Sequence, residues 1–132
     1  MAEFAVPDVS RTDRLQIGPE LVEPVWTTSE GLLRIRVANE AGDWSLELHG
    51  ELDLSNAQAL EREIRSAEAS GDGSITIDLS GLDFMDSSGL HVILEAHHRS
   101  RLSSRLRLLK GPRAVQTVFR LTQTEDGLPF LD

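Results

Sequence analysis

The stretch from Asp78 to Leu90 reads Asp-Leu-Ser-Gly-Leu-Asp-Phe-Met-Asp-Ser-Ser-Gly-Leu, and it joins a strand to a helix. The strand, residues 75–79, is apolar and β-branched, as a buried strand should be. The helix begins at the cluster 86–88, Asp-Ser-Ser, because these short side chains can accept the free N–H groups of a first turn. Apolar residues then recur at helical spacing, at Leu90, Ile93 and Leu94.

This junction predicts a phosphate site. The free N–H groups of a first helical turn and the positive end of the helix dipole favour an anion. Ser87 and Ser88 both place a hydroxyl there, and their spacing alone does not choose between them. Asp86 fits the role of a helix cap and that of a switch residue, and Gly89 fits either helix packing or the close approach of a partner.

The segments before the junction follow the patterns of strands and of a helix. Residues 32–37 and 44–48, on either side of a turn at 39–43, predict a β-hairpin. Ser55 and Gln58 match a capping box, which predicts the start of a helix. The apolar stripe of that helix is Ala57, Leu60, Ile64 and Ala67.

The segments after the junction predict a strand at 105–109, a short helix that begins near Pro112 and a terminal edge strand at 128–131. The whole order, a hairpin followed by strand, helix, strand, helix and strand, is typical of an α/β domain. We expect a mixed sheet with right-handed crossovers and with helices packed on it. Residues 1–28 lack periodicity, which predicts a loosely ordered N-terminal extension ahead of a single domain at 29–132.

Two connections of this predicted sheet share one edge. In consecutive βαβ units, each strand-to-helix loop leaves from the carboxyl edge of the sheet. Residues 51–53, Glu-Leu-Asp, and residues 86–88 are therefore expected to lie together. They predict an acidic, hydroxyl-bearing surface without a deep pocket, which suits docking against a protein. Asp53 fits this role and also that of a simple turn residue.

The composition narrows the possible functions. The chain has 132 residues, enough for one domain with a single core. Its formal net charge of −9 disfavours nucleic acid or an anionic membrane as the main partner and favours a basic protein surface. Cysteine is absent, which excludes disulfides and thiolate chemistry. The sequence has neither an apolar stretch of roughly 20 residues nor the features of a secretion signal, so we expect a cytoplasmic protein.

These segments, in this order, resemble the STAS domains and, among them, the anti-sigma factor antagonists (anti-anti-sigma factors) of bacteria. Residues 84–90, Phe-Met-Asp-Ser-Ser-Gly-Leu, are similar to the phosphorylation segment of that family. The similarity extends to Gly-Glu-Leu-Asp at 50–53, to the strand end at 78–80 and to Val-Phe-Arg-Leu at 118–121. It covers roughly residues 30 to 131, a domain-sized span.

The resemblance implies regulation by partner switching. A protein of this family binds an anti-sigma factor kinase of the histidine-kinase-like ATPase fold while it is unphosphorylated, and so frees a sigma factor. The kinase supplies ATP and Mg²⁺ and phosphorylates the antagonist on a serine, which matches Ser87, and a serine phosphatase acts on the product. The chain itself is then not an enzyme and needs no cofactor. The expected contact residues are Glu51, Asp53, Asp86, Ser87, Ser88, Gly89 and His91.

The histidines raise the alternative of a metal protein or an enzyme. His91 and Glu95 are four residues apart on the predicted helix, a spacing that can ligate a metal, but no third ligand follows at a telling distance. The segment around Ser87 is not the Gly-x-Ser-x-Gly elbow of a hydrolase. For His91, a solvated helix face is the simpler expectation, although the family usually has a small residue at this position.

Two other roles for a STAS domain stay open. One is a scaffold subunit of a larger signalling assembly, and the other is a ligand-binding or transporter-associated module. The intact Asp-Ser-Ser-Gly segment at 86–89 and the shallow predicted surface argue against the second role.

Overall fold

In the computed structural model, which describes residues 25–131, six strands form one sheet in the order β1-β2-β3-β4-β5-β6. The strands are β1 (Val25–Glu30), β2 (Leu33–Glu40), β3 (Asp43–Leu52), β4 (Ile75–Met85), β5 (Leu106–Leu109) and β6 (Phe130–Leu131). The helices are α1 (Ala57–Ala69), α2 (Ser87–Ser100) and α3 (Arg113–Leu121), with a 3₁₀ turn at Glu125–Gly127. Strands β1 to β3 are antiparallel and β3 to β6 are parallel. The predicted α/β domain with a mixed sheet is confirmed.

Alternation along the strands buries one face of the sheet. In β2, Leu33, Ile35 and Val37 are buried, while Arg34 and Arg36 between them are exposed. The buried side chains of the strands and of the three helices belong to one apolar cluster, and burial of each large member contributes about 1.5–3 kcal/mol before entropy is counted. No helix between residues 25 and 131 is long and apolar enough to cross a membrane.

The first helix has the predicted stripe but not the predicted cap. Its stripe residues are all buried: Ala57, Leu60, Ile64 and Ala67. The capping box is wrong, because Ser55 lies one residue before the N-cap, Asn56, whose side chain makes no capping hydrogen bond. The Ser55 hydroxyl donates instead to Asp53 Oδ1 at 2.6 Å. Polar side chains in this tight connection satisfy the loop rather than the helix.

Strand β1 corrects the expected domain boundary. Residues 25–28, assigned above to the extension, belong to β1, which pairs with β2. Trp26 Nε1 and Thr28 Oγ1 each donate to the carboxylate of Glu63 on α1, at 3.3 and 2.8 Å. These partners are distant in sequence, so a local pattern does not reveal them. The rest of the predicted extension, residues 1–24, lies outside the described residues.

Strand β4 is longer than predicted. The sequence places its end at Leu79, but the strand continues beside β3 to Met85. The added segment contains serine, glycine and aspartate, which have low strand propensity. Its pairing with β3 also includes two register shifts. Pairing with a neighbouring strand therefore overrides local propensity at this point.

Gly50 in β3 occupies a backbone conformation that other residues rarely adopt. Its φ is +98°, and a Cβ atom there would overlap the carbonyl oxygen of Leu32. We expect Gly50→Ala to lower the free energy of unfolding by more than about 2 kcal/mol, because backbone strain of about 1–3 kcal/mol adds to the overlap. Urea unfolding followed by circular dichroism measures this loss.

Gly127→Ala is the matched control. Gly127 lies in the 3₁₀ turn, where an added Cβ atom meets no atom within 4 Å. Its replacement should change the free energy of unfolding by less than about 0.5 kcal/mol. Equal losses in the two variants would contradict the packing argument for Gly50.

Candidate functional site

The predicted meeting of two connections at one edge of the sheet is confirmed. Strands β3 and β4 are paired in parallel as far as Leu52 and Met85. The chain leaves both strands at the same end, where the N–H of Asp86 donates to the carbonyl of Leu52 at 3.1 Å. Residues 51–53 and 86–88 therefore belong to one surface.

The carboxylate of Asp86 organises this surface. Its Oδ1 accepts the N–H groups of Ser88 and Gly89, at 2.8 and 3.4 Å, which makes Asp86 the N-cap of α2. Its Oδ2 accepts the N–H of Leu54 at 3.3 Å, from the other connection. One side chain thus starts the helix, as predicted, and also ties the loop between β3 and α1 to it.

The two serines of the first turn differ in exposure. Ser87, the first residue of α2, is exposed, whereas Ser88 is half-buried. The N–H of Ser88 is also bonded to Asp86. Of the two serines, Ser87 is therefore the more accessible to an approaching molecule.

Gly89 lies where α2 touches the sheet. It is buried, and a Cβ atom there would come within 2.6 Å of the Leu52 side chain and within 2.9 Å of Met85 Cγ. The first turn of α2 therefore sits directly on the ends of β3 and β4. Of the two roles open to Gly89, this geometry favours helix packing, and it does not present the residue at the surface.

The loop before α1 is held by Asn56, a buried residue that the sequence analysis did not select. Its Oδ1 accepts the N–H of Asp53 and its Nδ2 donates to the carbonyl of Glu51, both at 2.9 Å. Asp53 Oδ1 in turn accepts the N–H and the hydroxyl of Ser55, at 3.0 and 2.6 Å. Asp53 thus acts as a turn residue and, because it is only half-buried, also contributes its charge to the edge.

Three exposed apolar side chains lie at this edge, and the sequence analysis missed them. Leu54 is 80% exposed, Leu32 67% and Phe84 47%. Leu54 follows Asp53, Phe84 is paired with Glu51, and the carbonyl of Leu32 accepts the N–H of Glu51 at 3.0 Å. Exposed apolar side chains grouped in this way mark interaction surfaces. The available signal was an apolar residue inside a polar turn, as Leu54 is in Asp-Leu-Ser-Asn.

The charged groups at this edge have one sign. In the segments 30–32, 51–55 and 83–89, every ionisable side chain is a carboxylate. These carboxylates are Glu30, Glu51, Asp53, Asp83 and Asp86. We name the three segments together the acidic tip. It combines carboxylates, exposed apolar side chains and the hydroxyl of Ser87.

His91 lies one helical turn beyond Ser87 on the exposed face of α2. Its Nε2 is 3.1 Å from Glu95 Oε2, and the two side chains are 71% and 52% exposed. Within residues 25–131 no three side chains of metal-binding types are grouped so that they could hold an ion. The visible contact of His91 is therefore a solvated pair with Glu95.

Two side chains outside the acidic tip have shifted pKa values. The N–H and the hydroxyl of Ser74 donate to Asp43 and hold the pKa of its carboxyl below the usual value. The carboxylate of Glu61 accepts from Arg65 Nε at 2.7 Å and raises the pKa of that guanidinium. Both shifts come from hydrogen bonds that stabilise the fold. The Ser74–Asp43 bonds connect the starts of β3 and β4, and the Arg65–Glu61 bond connects successive turns of α1.

The chain matches a known protein family and is similar in sequence to a curated relative. Residues 34–131 match the family model of the STAS domain. Over 61 residues the chain is 36% identical to the anti-sigma-F factor antagonist RsfB of Mycobacterium tuberculosis. This alignment covers 46% of the chain and 50% of RsfB, so the chain spans about half the length of the curated relative that it matches.

Solved structures share the fold. The TM-score is 0.66 with an anti-sigma factor antagonist from Mycobacterium paratuberculosis, at 22% identity over 81% of this chain and 85% of that one. It is 0.62 with the anti-sigma factor antagonist SpoIIAA in its unphosphorylated form, at 22% identity over 74% and 88%. It is 0.57 with the Bacillus cell fate determinant SpoIIAA in the phosphorylated form, at 20% identity over 74% and 91%. At these identities the likeness shows the fold alone.

Replacement of Asp86 tests its role in the fold. We expect Asp86→Ala to lower the free energy of unfolding by about 1–2 kcal/mol, because α2 loses its cap and the N–H of Leu54 loses its acceptor. Asp86→Asn keeps the oxygen that caps the helix but loses the acceptor for the N–H of Leu54, so it should lose about 0.5–1 kcal/mol, less than Asp86→Ala. Chemical denaturation measures both losses, and an equal loss in the two variants would argue against capping.

Proposed function

The chain belongs to the STAS domain family, and on that basis we propose that it is an anti-sigma factor antagonist. It is a regulatory binding protein that docks on an anti-sigma factor through the acidic tip while Ser87 is unmodified. Phosphorylation of Ser87 then releases it. The name of RsfB and the two forms in which SpoIIAA has been solved support this proposal.

The observation that carries the proposal is that two exposed residues, Ser87 and Leu54, are linked through Asp86. The Asp86 carboxylate caps the helix that starts at Ser87 and also accepts the N–H of Leu54. We therefore expect a protein seated on Leu54 to cover Ser87 as well. A group added to Ser87 therefore enters the interface directly, and no rearrangement has to be transmitted through the domain.

The chemistry of the acidic tip indicates what its partner offers. Leu54 and Phe84 need an apolar contact surface, and the surrounding carboxylates need Arg or Lys at its rim. We propose an anti-sigma factor kinase of the histidine-kinase-like ATPase fold as this partner. Nucleotide and Mg²⁺ then belong to the partner, both proteins act in the cytoplasm, and a serine phosphatase restores the unmodified form.

The proposed reaction is transfer of the γ-phosphoryl group of ATP to Ser87 Oγ. The bond from Oγ to phosphorus forms, the bond from phosphorus to the ADP oxygen breaks, and the hydroxyl proton passes to a base on the kinase. Transfer requires the γ-phosphorus close to the hydroxyl, at about 3–3.5 Å. After transfer, the new phosphate therefore faces ADP, and the residue before it in the chain is the carboxylate Asp86.

Docking strengthens the repulsion that the phosphate meets. The group adds about 1.5–2 negative charges. Two like charges 4 Å apart repel by about 1 kcal/mol in water and by about 4 kcal/mol at the effective dielectric of a partly desolvated site. The difference, about 3 kcal/mol for each pair of unit charges, weakens binding about a hundredfold. Release thus follows from desolvation of charges that water separates in the free protein.

The helix N-terminus gives this phosphate little relief. Free N–H groups of a first turn would stabilise it, but Asp86 already accepts those of Ser88 and Gly89. The phosphate on Ser87 would have to displace a carboxylate of its own sign to reach them. The N–H groups of Ser88 and Gly89 therefore offset little of the repulsion.

A site-mapped phosphorylation assay tests the proposed acceptor. The wild-type chain, Ser87→Ala and Ser88→Ala are each incubated with Mg-ATP and every ATPase-fold kinase of the source organism, and the products are mapped by mass spectrometry. We expect one phosphate on Ser87 in the wild type and in Ser88→Ala, and none in Ser87→Ala. If no kinase modifies the folded wild type, a scaffold or a ligand-binding STAS module becomes the better assignment.

Binding to the same kinases tests the docking surface. Leu54→Ala should weaken binding about tenfold or more, because the loss of a central apolar contact costs more than about 1 kcal/mol. Ser87→Asp should also weaken it, because the added charge stands beside Asp86. Isothermal titration calorimetry gives the dissociation constants.

Two matched variants serve as controls in the binding assay. Leu102→Ala truncates a leucine that is 96% exposed but lies beyond the other end of α2. Ser66→Asp adds the same charge at an exposed position of α1. Both should bind like the wild type. Losses as large as those of Leu54→Ala and Ser87→Asp would show that the effects are not specific to the acidic tip.

A further inference from the structure

Three polar side chains repeat at four-residue spacing along the exposed face of α2. They are Ser87, His91 and Glu95, each exposed to solvent. Residues four apart on a helix are surface neighbours, with Cβ atoms about 5–6 Å apart. His91 can therefore reach a group on either side, and in the unmodified chain its Nε2 is 3.1 Å from Glu95.

When Ser87 is phosphorylated, helix geometry favours an interaction of His91 with the phosphate over its interaction with Glu95. Side chains on an α-helix lean toward its N-terminus, so His91 covers the turn that contains Ser87. An acidic group stabilises a helix better when it lies four residues before a basic group than when it lies four residues after it. The pair with Glu95 has the less favourable order and is largely exposed, which makes it weak.

We propose that His91 is the intramolecular binding site for the phosphate on Ser87. This inference rests on the proposed phosphorylation of Ser87. The imidazole turns from Glu95 to the phosphate, donates a hydrogen bond to one of its oxygens and, when it is protonated, opposes the negative charge of the group. The phosphate is a stronger acceptor than Glu95 because it has about 1.5–2 charges and three oxygens.

Other charged groups near Ser87 and His91 also affect this contact. On α2 itself, Asp86 repels the phosphate, and Glu95 competes with it for the imidazole. On α1, Arg65 is hydrogen-bonded to Glu61 and is also attracted electrostatically by Glu95. From α3, β4 and β5, no ion pair or hydrogen bond to His91 occurs among the described residues. The phosphate thus has His91 as the nearest basic side chain on the helix that bears it.

The contact makes the charge of the phosphorylated face depend on pH. Phosphoserine loses its second proton near pH 6, in the range where histidine side chains also titrate. A protonated imidazole beside the phosphate favours the dianion, so the second ionisation of the phosphate moves to lower pH. Below neutral pH, the pair therefore carries less net negative charge than a phosphate alone.

Phosphoserine placed genetically at position 87 of the full chain gives a direct test, because it requires no kinase. The pH titration of its ³¹P signal is recorded in an otherwise unchanged chain, in His91→Gln and in His98→Gln, the last being an exposed histidine three turns from Ser87. We expect His91→Gln to raise the midpoint of the second ionisation by about half a pH unit. His98→Gln should leave it unchanged. Equal midpoints in all three proteins would overturn the inference.

The imidazole signals supply a second readout that a purely structural role would not move. Comparison of the chain with serine and with phosphoserine at position 87 should show a shift of the His91 ring resonances and no shift of those of His98. A result in which neither ring responds also overturns the inference. If the contact is present but no kinase modifies Ser87, the proposed function fails and the phosphate site stands. If the kinase acts and the contact is absent, the reverse holds.

Discussion

The parallel pairing of β3 with β4 is the constraint on which the rest of the structure depends. It brings Leu52 and Met85 to the same edge of the sheet, and both helices that follow start from there. Only because the two connections meet can Asp86 accept hydrogen bonds from α2 and from Leu54 at once. The longer course of β4 and its two register shifts are part of this arrangement, since a strand that stopped at Leu79 would leave Ser87 on a free loop.

In the acidic tip, buried residues hold the backbone in place and exposed residues form the surface that a partner would meet. Asn56 and Gly89 are buried, and they fix the loop and the helix against the strands. Leu54 and Ser87 are exposed on that fixed base. A surface whose backbone is already held in place loses less entropy when a partner binds, which favours affinity from a small contact area. Asn56 and Gly89 therefore shape the tip from beneath, whereas Asp86 both shapes the tip and contributes its charge to the surface.

Much of the fold could be predicted from local patterns, and the exceptions share one cause. The alternation in β2 and the apolar stripe of α1 are visible in the sequence because burial follows the period of each element. Strand β1, the last part of β4 and the role of Asn56 depend on partners far away in the chain, which no local window contains. At the site, the polar cluster around Ser87 was recognisable from its place after an apolar strand. Leu54 was not, because an apolar residue in a turn is equally compatible with burial.

Gly89 gives the tip one more property. Because Gly89 packs closely against Leu52 and Met85, there is no free space between the first turn of α2 and the sheet. A chemical group added to Ser87 would then alter the surface without shifting the backbone, so modified and unmodified molecules share a single frame. No slow rearrangement stands between the modification and its effect, and no cooperative threshold arises within the domain. Each modified molecule therefore changes its surface independently of the others, so the modification adds no cooperativity within the domain.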